Sequence, residues 1–347
     1  MNVLVMERSD YRVMLWHLAL YGLAAICEEH DERVTIRWAQ SATRQPRATL
    51  KVTALDASGM AELVTRHART HASGSWLQEE IELNGTRRGL MSPRITPFVA
   101  DDVLRPQILA RRDVVLNALT TAHSWLDLQL LAALGQPAYW SRDNKGALMQ
   151  DDGAGRLEMQ PRNQGSEFIG SRLRKLAESV AARPTAAVLA GLTGAQVRDE
   201  IGKDQATSRT GTGLCRPGPV DNAVAWCALW GISQLPSTPR IGQRAITTSS
   251  GHLGRPRQEW FYLPYWEQPW RPARLRTVLC STRLRTAAAA GLESRWAPED
   301  GVLAGAQVWL RSRGVTGVLR FPIERFGSDS APERRAMQAA LVPVVNR

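Results

Sequence analysis

Residues 13–27 form an apolar run that carries no charged side chain and is interrupted by His17. The run is too short to cross a bilayer, which takes about 20 apolar residues in a helix. Glu7 and Asp10 lie just before it, where a secretory signal would carry positive charge. We therefore expect a core helix and a cytoplasmic protein. With 347 residues, of which 44% are apolar, the chain can bury a sizeable core.

The positive charge of the chain is concentrated in its second half. Residues 1–160 carry 18 basic and 19 acidic side chains, and residues 161–347 carry 26 and 14. The net charge of +11 favours polyanionic partners. Of the 44 basic residues, 40 are arginine, whose planar guanidinium suits bidentate phosphate contacts and stacking on bases. A GC-rich coding bias would also produce this excess of arginine.

No motif for a metal, a cofactor or a small-molecule substrate is present. The four cysteines are scattered without a C-x-x-C pair, which disfavours a zinc site and fits reduced thiols. Gly202 and Lys203 are followed by Asp204, so there is no phosphate-binding loop. His67 and His71 have helical i, i+4 spacing but lack the glutamate of a zinc protease. We therefore assign no catalytic residue, metal or cofactor.

The first half predicts a mixed unit followed by helices. Strands are expected at 2–6, 34–38 and 48–54, and helices at about 10–29 and 56–71. This β-α-β-β-α order is compatible with a ferredoxin-like unit. A helical region at 101–134 follows, with His123 on its buried face. The polar stretch at 141–155 predicts a boundary between a near-neutral domain, 1–140, and a basic domain, 156–347.

The second half predicts a basic, strand-rich α+β domain. Helices are expected at 166–182, in the segment that Asp221 caps, and at 332–341. Trp226 and Trp230 lie four residues apart and are expected in the core. A mobile loop is expected at 205–219, and strands at 245–249, 259–263, 308–311 and 318–323. The whole chain is thus predicted to be α+β.

Residues 240–285 are rich in arginine and in aromatic side chains. Nine arginines face two acidic residues there, among six aromatic side chains at 260–270. Such a mixture can neutralise phosphates and stack unpaired bases. On a strand, side chains spaced by two project to the same side, so four of the arginines would form a charged ridge. The candidate phosphate contacts are Arg162, Arg172, Arg174, Lys175, Arg255, Arg257, Arg274, Arg276, Arg283 and Arg285. Trp260 and Trp266 are candidates for base stacking or for a subunit interface, with core packing as the alternative.

Four segments resemble subunits of type I-U (also called I-G) CRISPR effector complexes, or Cascade. They are WHLALYGLAAI at 16–26, LEMQPRN at 157–163, AVAWCALWGI at 223–232 and the aromatic run at 260–266. The resemblance implies a component of a crRNA-guided surveillance complex, in the large-subunit position. Its partners would be crRNA, target DNA and other protein subunits. The chain is short for a large subunit, and a ferredoxin-like start would also suit a backbone subunit that grips crRNA.

Two other functions remain compatible with the same residues. His252 lies beside Arg255 and Arg257 and is the candidate for metal-independent cleavage of CRISPR RNA. Alternatively, the chain is a protein–protein interaction scaffold, because tryptophan and arginine are also enriched at interface hot spots.

Overall fold

The computed structural model describes residues 2–30, 33–40, 45–83, 85–92, 104–134, 141–142, 148–149, 169–236, 259–292, 298–326 and 333–344. Within these ranges the chain contains both helices and strands, and the strands form separate antiparallel sheets, which confirms the α+β class. No helix in the described ranges has the length and apolar content that crossing a membrane requires.

The N-terminal unit has the predicted order of elements. β1 (Val3–Met6), α1 (Met14–Glu29), β2 (Val34–Gln40), β3 (Pro46–Val52) and α2 (Ala57–Ala72) follow one another. The strands are antiparallel in the order β1-β3-β2, which is the order of three of the four strands in a ferredoxin-like sheet. Among the described residues no fourth strand joins them. At the open edge of β2, the backbone of Ile36 instead pairs with that of Trp270.

Helix α1 begins later than the sequence predicts. Asp10 does not cap it, because its carboxylate accepts hydrogen bonds from the backbone and guanidinium of Arg12. The helix starts after Val13 and is buried over residues 14–27 apart from the half-buried Trp16. The apolar run at 13–27 is therefore a core helix, as expected.

The predicted helical region at 101–134 consists of two helices. After the hairpin β4 (Glu80–Leu83) and β5 (Thr86–Gly89), α3 (Leu104–Thr121) and α4 (Trp125–Leu134) are separated at His123. His123 has a φ of 53°, a left-handed backbone that interrupts the helix. It is consequently exposed, and its predicted place on a buried face was wrong. A two-residue ladder, β6 (Ser141–Arg142) with β7 (Leu148–Met149), follows.

The helices that follow residue 168 pack against the N-terminal unit. A π-helical turn (Ile169–Leu173) leads into α5 (Arg174–Ala181), and α6 (Thr185–Thr193) and α7 (Asn222–Trp230) follow, with 3-10 turns at Thr212–Leu214 and Gly231–Gln234. α5 and α6 lie on α2, and α7 lies on α1. Asp221 caps α7, and Trp226 and Trp230 are fully buried, as predicted. The predicted domain boundary falls mostly outside the described residues and stays a prediction.

The segment at 205–219 is partly buried and hydrogen-bonded, with residues 205–207, 209, 216, 217 and 219 exposed. The buried carboxylate of Asp199 accepts hydrogen bonds from the hydroxyls of Ser208 and Thr210 and from the backbone N–H groups of Gly202 and Val220. Residues 210–214 are buried against the core. The expectation of a mobile loop was based on glycine, proline and hydroxyl content, which does not reveal a buried acceptor for those hydroxyls.

The C-terminal part combines helices with a sheet centred on one long strand. β8 (Glu259–Tyr265), α8 (Pro272–Leu279), α9 (Thr282–Ala288), α10 (Asp300–Ser312), β9 (Gly317–Phe326), β10 (Glu333–Ala336) and β11 (Ala340–Pro343) occur in this order. β9 pairs with β8, β10 and β11. The strands predicted at 259–263 and 318–323 are confirmed. The strand at 308–311 was wrong, because those residues belong to α10, and the helix at 332–341 was wrong, because β10 and β11 occupy it. The strand at 245–249 lies outside the described residues.

Candidate nucleic-acid interface

The four arginines expected on one strand lie on two helices. Arg274 and Arg276 are on α8, and Arg283 and Arg285 are on α9. Residues two apart on a helix point in different directions, so neither pair projects to one side. The charged ridge expected from strand spacing was therefore wrong. The prediction failed because the alternating pattern was assigned a period of two instead of 3.6.

The structure brings Arg283 together with a residue pair that the sequence interpretation did not include. Its guanidinium carbon lies 5.2 Å from the ring centroid of Trp309, and that of Arg313 lies 5.3 Å from the same ring. Both arginines are exposed, and Trp309 is half-buried on α10. Within the described part of the chain, neither arginine has an ion-pair partner. The cluster Arg283–Trp309–Arg313 therefore presents two available cations on an indole, a cation–π arrangement.

The acidic residues at the start of α10 are remote from this cluster. Glu299 is the N-cap residue, without a side-chain capping hydrogen bond, and Asp300 occupies the first turn. Nine residues separate Asp300 from Trp309, which places them about 14 Å apart along the helix. That separation exceeds the ~8–10 Å over which charges act in physiological salt. These two carboxylates therefore do not neutralise the cluster.

The other arginines of α8 and α9 differ in their availability. Arg274 is exposed, and the described residues provide it with no ion pair. Arg276 donates to a carboxylate oxygen of Glu28 over 3.0 Å and to the amide oxygen of Gln234 over 2.8 Å. Arg285 is half-buried. Arg274 and Arg283 thus remain candidates for phosphate contact, whereas Arg276 already ties α8 to α1.

The three basic residues near the start of α5 also differ in their availability for phosphate contact. Arg174 was expected on an exposed face, but its Nε and Nη2 donate to the carbonyl oxygen of Leu77 over 3.0 and 2.9 Å, and its Nη1 donates to Glu80. It is therefore a clamp between α5 and the β4 hairpin. Arg172 is half-buried, with Nη1 donating to the carbonyl of Ser171 over 3.1 Å. Lys175 is exposed and is the most accessible of the three.

Of the two candidate tryptophans, Trp266 is unavailable for stacking. It is fully buried, its ring lies parallel to that of Trp270 at 4.4 Å, and its Nε1 donates to the carbonyl oxygen of Ile36 over 3.2 Å. This indole joins the C-terminal sheet to the edge of β2. Trp260 is half-buried on β8 and packs partly against the core. Arg162, Arg255, Arg257 and His252 lie outside the described residues, so their predicted roles stay predictions.

The paired histidines of α2 form a buried polar cluster instead of a metal site. His71 places Nε2 2.9 Å from Oδ1 of Asp127 and Nδ1 2.8 Å from the carbonyl oxygen of His67. Trp76 also donates from Nε1 to Asp127. In the described ranges there is no group of three His, Cys, Asp or Glu side chains that could hold a metal ion.

The second histidine of the cluster lies next to the C-terminal end of α1. Burial lowers the pKa of His67 well below its usual value, so this ring is neutral. Its Nε2 lies 3.8 Å from a carboxylate oxygen of Glu29, a contact that is therefore not an ion pair. Burial, reinforced by the charge of Asp127 and opposed by that of His71, raises the pKa of Glu29 to about 7.

Trp309 and Arg313 lie outside the arginine-rich stretch at 240–285 from which the binding surface is predicted. Tryptophan at 309 followed by arginine at 311 and 313 is a visible signal in the sequence. It was assigned to a strand, which hid the helical contact with Arg283.

No protein-family model matches the chain, and no curated protein matches it.

Proposed function

We propose that this chain is a non-catalytic nucleic-acid-binding protein that contacts phosphates and bases through α8, α9 and α10. The observation that carries the proposal is the placement of the exposed Arg283 and Arg313 on the half-buried ring of Trp309. Arginine in that setting can pair with phosphate while the indole supports an unstacked base. The exposed Arg274 on α8 supports the same surface.

The resemblance of four segments to type I-U CRISPR effector subunits adds the cellular setting to the proposal. The chain would act in the cytoplasm within a crRNA-guided surveillance complex, holding crRNA or target DNA beside other subunits. Two of those segments, 16–26 and 223–232, pack on each other as α1 and α7 with the turn that follows it. They therefore support a shared core more than a shared binding surface, and the binding proposal depends on the arginines instead.

Charge reversal at the cluster tests the binding proposal. The double variant Arg283→Glu and Arg313→Glu should weaken binding of single-stranded RNA or DNA to the full chain. It should also reduce the slope of log affinity against log salt by about 1.4, at ~0.7 per phosphate on single strands. The matched control is Arg37→Glu with Arg66→Glu, which reverses two exposed arginines of the near-neutral half. Equal losses in both double variants would contradict the assigned surface.

The same samples decide between binding and RNA processing. Labelled repeat RNA incubated with the protein should bind and remain uncut. Cleavage that is lost in His252→Ala would replace the proposal with the endoribonuclease function. A protein that binds no nucleic acid at any salt concentration but still assembles with effector subunits would favour the interaction scaffold.

A further inference from the structure

A cleft of about 240 Å³ lies beside α8, at the end of α1. Its walls come from α1, from α4 with the residues before it, from the 3-10 turn after α7, and from α8. The side chains that matter to its chemistry are Glu28, Glu29, Trp125, Gln129, Gln234 and Arg276. This volume is below the ~300–1,000 Å³ of pockets for drug-sized ligands, so it suits one planar ring system.

Half of these polar groups are already paired with one another. Arg276 donates to both Glu28 and Gln234, which fixes one wall of the cleft. Glu29 and Gln129, in contrast, have no hydrogen-bond partner among the described residues. Nε2 of the neutral His67 lies 3.8 Å from a carboxylate oxygen of Glu29, which is too far for a hydrogen bond. Hydrogen-bonding capacity therefore remains at Glu29 and Gln129.

An aromatic side chain stands at the rim of the cleft. Trp125 is 56% exposed, which is unusual for so large an apolar ring. It lies at the first position of α4, four residues before Gln129, so the two side chains share one helical face. An exposed indole next to unpaired polar groups is the arrangement that proteins use to stack an unpaired base and hydrogen-bond its edge.

We propose that this cleft binds one unstacked guanine base, with Trp125 on its face and the Glu29 carboxylate on its Watson–Crick edge. A carboxylate only accepts hydrogen bonds, so it selects an edge with adjacent N–H donors. Guanine presents N1–H and an exocyclic amine side by side. Adenine and cytosine place a ring-nitrogen acceptor there, which repels a carboxylate, and uracil offers a single donor.

The cleft shares helix α8 with the surface of the proposed function, on which this inference depends. Arg276 lines the cleft and lies on the same helix as Arg274, and α9 with Arg283 follows directly. A strand whose phosphates lie on α8 and α9 would therefore pass the mouth of the cleft.

Guanine selection should depend on pH because Glu29 must be ionised. The pKa of Glu29 is raised to about 7 by burial and by the charge of Asp127, and His71 opposes the increase. Other titratable groups around it are the neutral His67 on α2, Arg276 on α8, His123 before α4, and its chain neighbours Glu28 and His30. Selection should thus be complete above pH 7 and fade as pH falls through that value.

The test compares short oligouridines that carry one central guanosine, inosine or adenosine, above and below pH 7. The full-length chain should bind the guanosine oligomer about fivefold or more tightly than the inosine oligomer, which lacks one donor. Glu29→Gln should abolish this preference while leaving affinity for plain oligouridine unchanged. Trp125→Ala should weaken guanosine binding by about fivefold or more. Glu178→Gln and Val114→Ala, at exposed sites on α5 and α3, are the controls.

The outcomes separate this inference from the proposed function. Oligomers that bind equally well whatever the central base, or a preference that survives Glu29→Gln in a variant with normal melting, would overturn the guanine site alone. If no oligomer binds, the proposed function fails. Calorimetry with guanosine monophosphate then shows whether the cleft binds guanine. If guanosine monophosphate binds, and both Gln129→Ala and Glu29→Gln weaken that binding, the guanine site is supported. If guanosine monophosphate does not bind, the guanine site is overturned.

Discussion

His71 and Asp127 face each other in the core, with the imidazole Nε2 2.9 Å from the carboxylate Oδ1. The other ring nitrogen of His71 lies 2.8 Å from a backbone carbonyl oxygen, which can only accept a hydrogen bond. Both nitrogens therefore carry protons when the two contacts are made, and the pair is a buried imidazolium–carboxylate. Burial alone would lower the pKa of His71, but the hydrogen bond and charge of Asp127 outweigh it and raise the pKa.

Replacing Asp127 by Asn should destabilise the protein by about 3 kcal/mol, because removal of one partner leaves a buried charge or forces its neutralisation. A histidine whose pKa is higher in the folded than in the unfolded protein stabilises the fold. This stabilisation is complete below the pKa of the unfolded state and is lost as pH rises through the pKa of the folded state. The difference between wild type and variant should therefore be greatest in acid and shrink as pH rises. Urea denaturation of both proteins at several pH values measures this difference in the free energy of unfolding.

Asp113→Asn is the control for that comparison, because Asp113 is exposed on the neighbouring α3. It should change the free energy of unfolding by less than about 0.5 kcal/mol. A loss in Asp127→Asn that stayed constant at every pH would show that His71 is not the charged partner.

His17 should make the protein sensitive to acid. It is fully buried, its Nε2 lies 2.7 Å from the carbonyl oxygen of Tyr11, and burial lowers its pKa to about 4. The unfolded chain binds a proton at about pH 6.5 and the folded chain does not, so stability falls between pH 6.5 and about 4. This one group contributes a loss of up to about 3 kcal/mol.

The variant His17→Phe isolates this contribution. It removes the titrating ring and keeps an aromatic side chain beside Trp38 and Phe321. Its melting temperature should fall less steeply with acid than that of wild type, even if it is lower at neutral pH. His123→Gln, which replaces an exposed histidine, is the matched control. An unchanged slope in His17→Phe would mean that His17 does not titrate on unfolding in this range.

Sequence patterns predicted the N-terminal unit well because its strands and helices have unambiguous periods and short connections. They failed at α8 and α9, where arginines alternate with small or apolar residues and fit both a strand and a helix. The failure at 308–311 has the same cause, since a run of four apolar or basic residues carries no period. The contact between Arg283 and the ring of Trp309 was out of reach for another reason. It joins residues 26 positions apart through a contact between two helices, which no local pattern encodes.

The crossing of α1 and α7 should tolerate no side chain at Gly22. A Cβ added there would lie 1.8 Å from the carbonyl oxygen of Cys227 and 2.6 Å from the backbone nitrogen of Gly231. A Cβ added at Gly231 would likewise lie 1.9 Å from the carbonyl oxygen of Leu18. Gly22→Ala should therefore cost about 3 kcal/mol or more, because the helices must separate. Thermal unfolding of the purified variant measures this loss.

Gly305→Ala is the matched control for Gly22. It lies within α10, and a Cβ there would meet nothing within 4 Å. The substitution should stabilise the protein by about 0.5–1 kcal/mol, because alanine loses less conformational freedom in a helix than glycine does. A Gly22→Ala variant as stable as wild type would contradict the close approach of the two helices.

Two consecutive residues, Arg174 and Lys175, should respond in opposite ways to substitution by alanine. Arg174 bonds the carbonyl of Leu77 and the carboxylate of Glu80, and its side chain is 20% exposed. Arg174→Ala should thus lower the free energy of unfolding by about 2–3 kcal/mol, since charged hydrogen bonds are lost. Its affinity for nucleic acid, measured where the variant is folded, should equal that of wild type.

Lys175→Ala should leave stability within about 0.5 kcal/mol of wild type, because the lysine side chain is exposed. If the lysine contacts a phosphate, the salt slope of duplex binding should decrease by about 0.9. Fluorescence anisotropy at several salt concentrations measures the slope, and urea denaturation measures the stability. A weaker complex in folded Arg174→Ala would show that the guanidinium leaves its clamp to bind nucleic acid. An unchanged slope in Lys175→Ala would show that Lys175 contacts no phosphate and that α5 adds nothing to the surface on α8, α9 and α10.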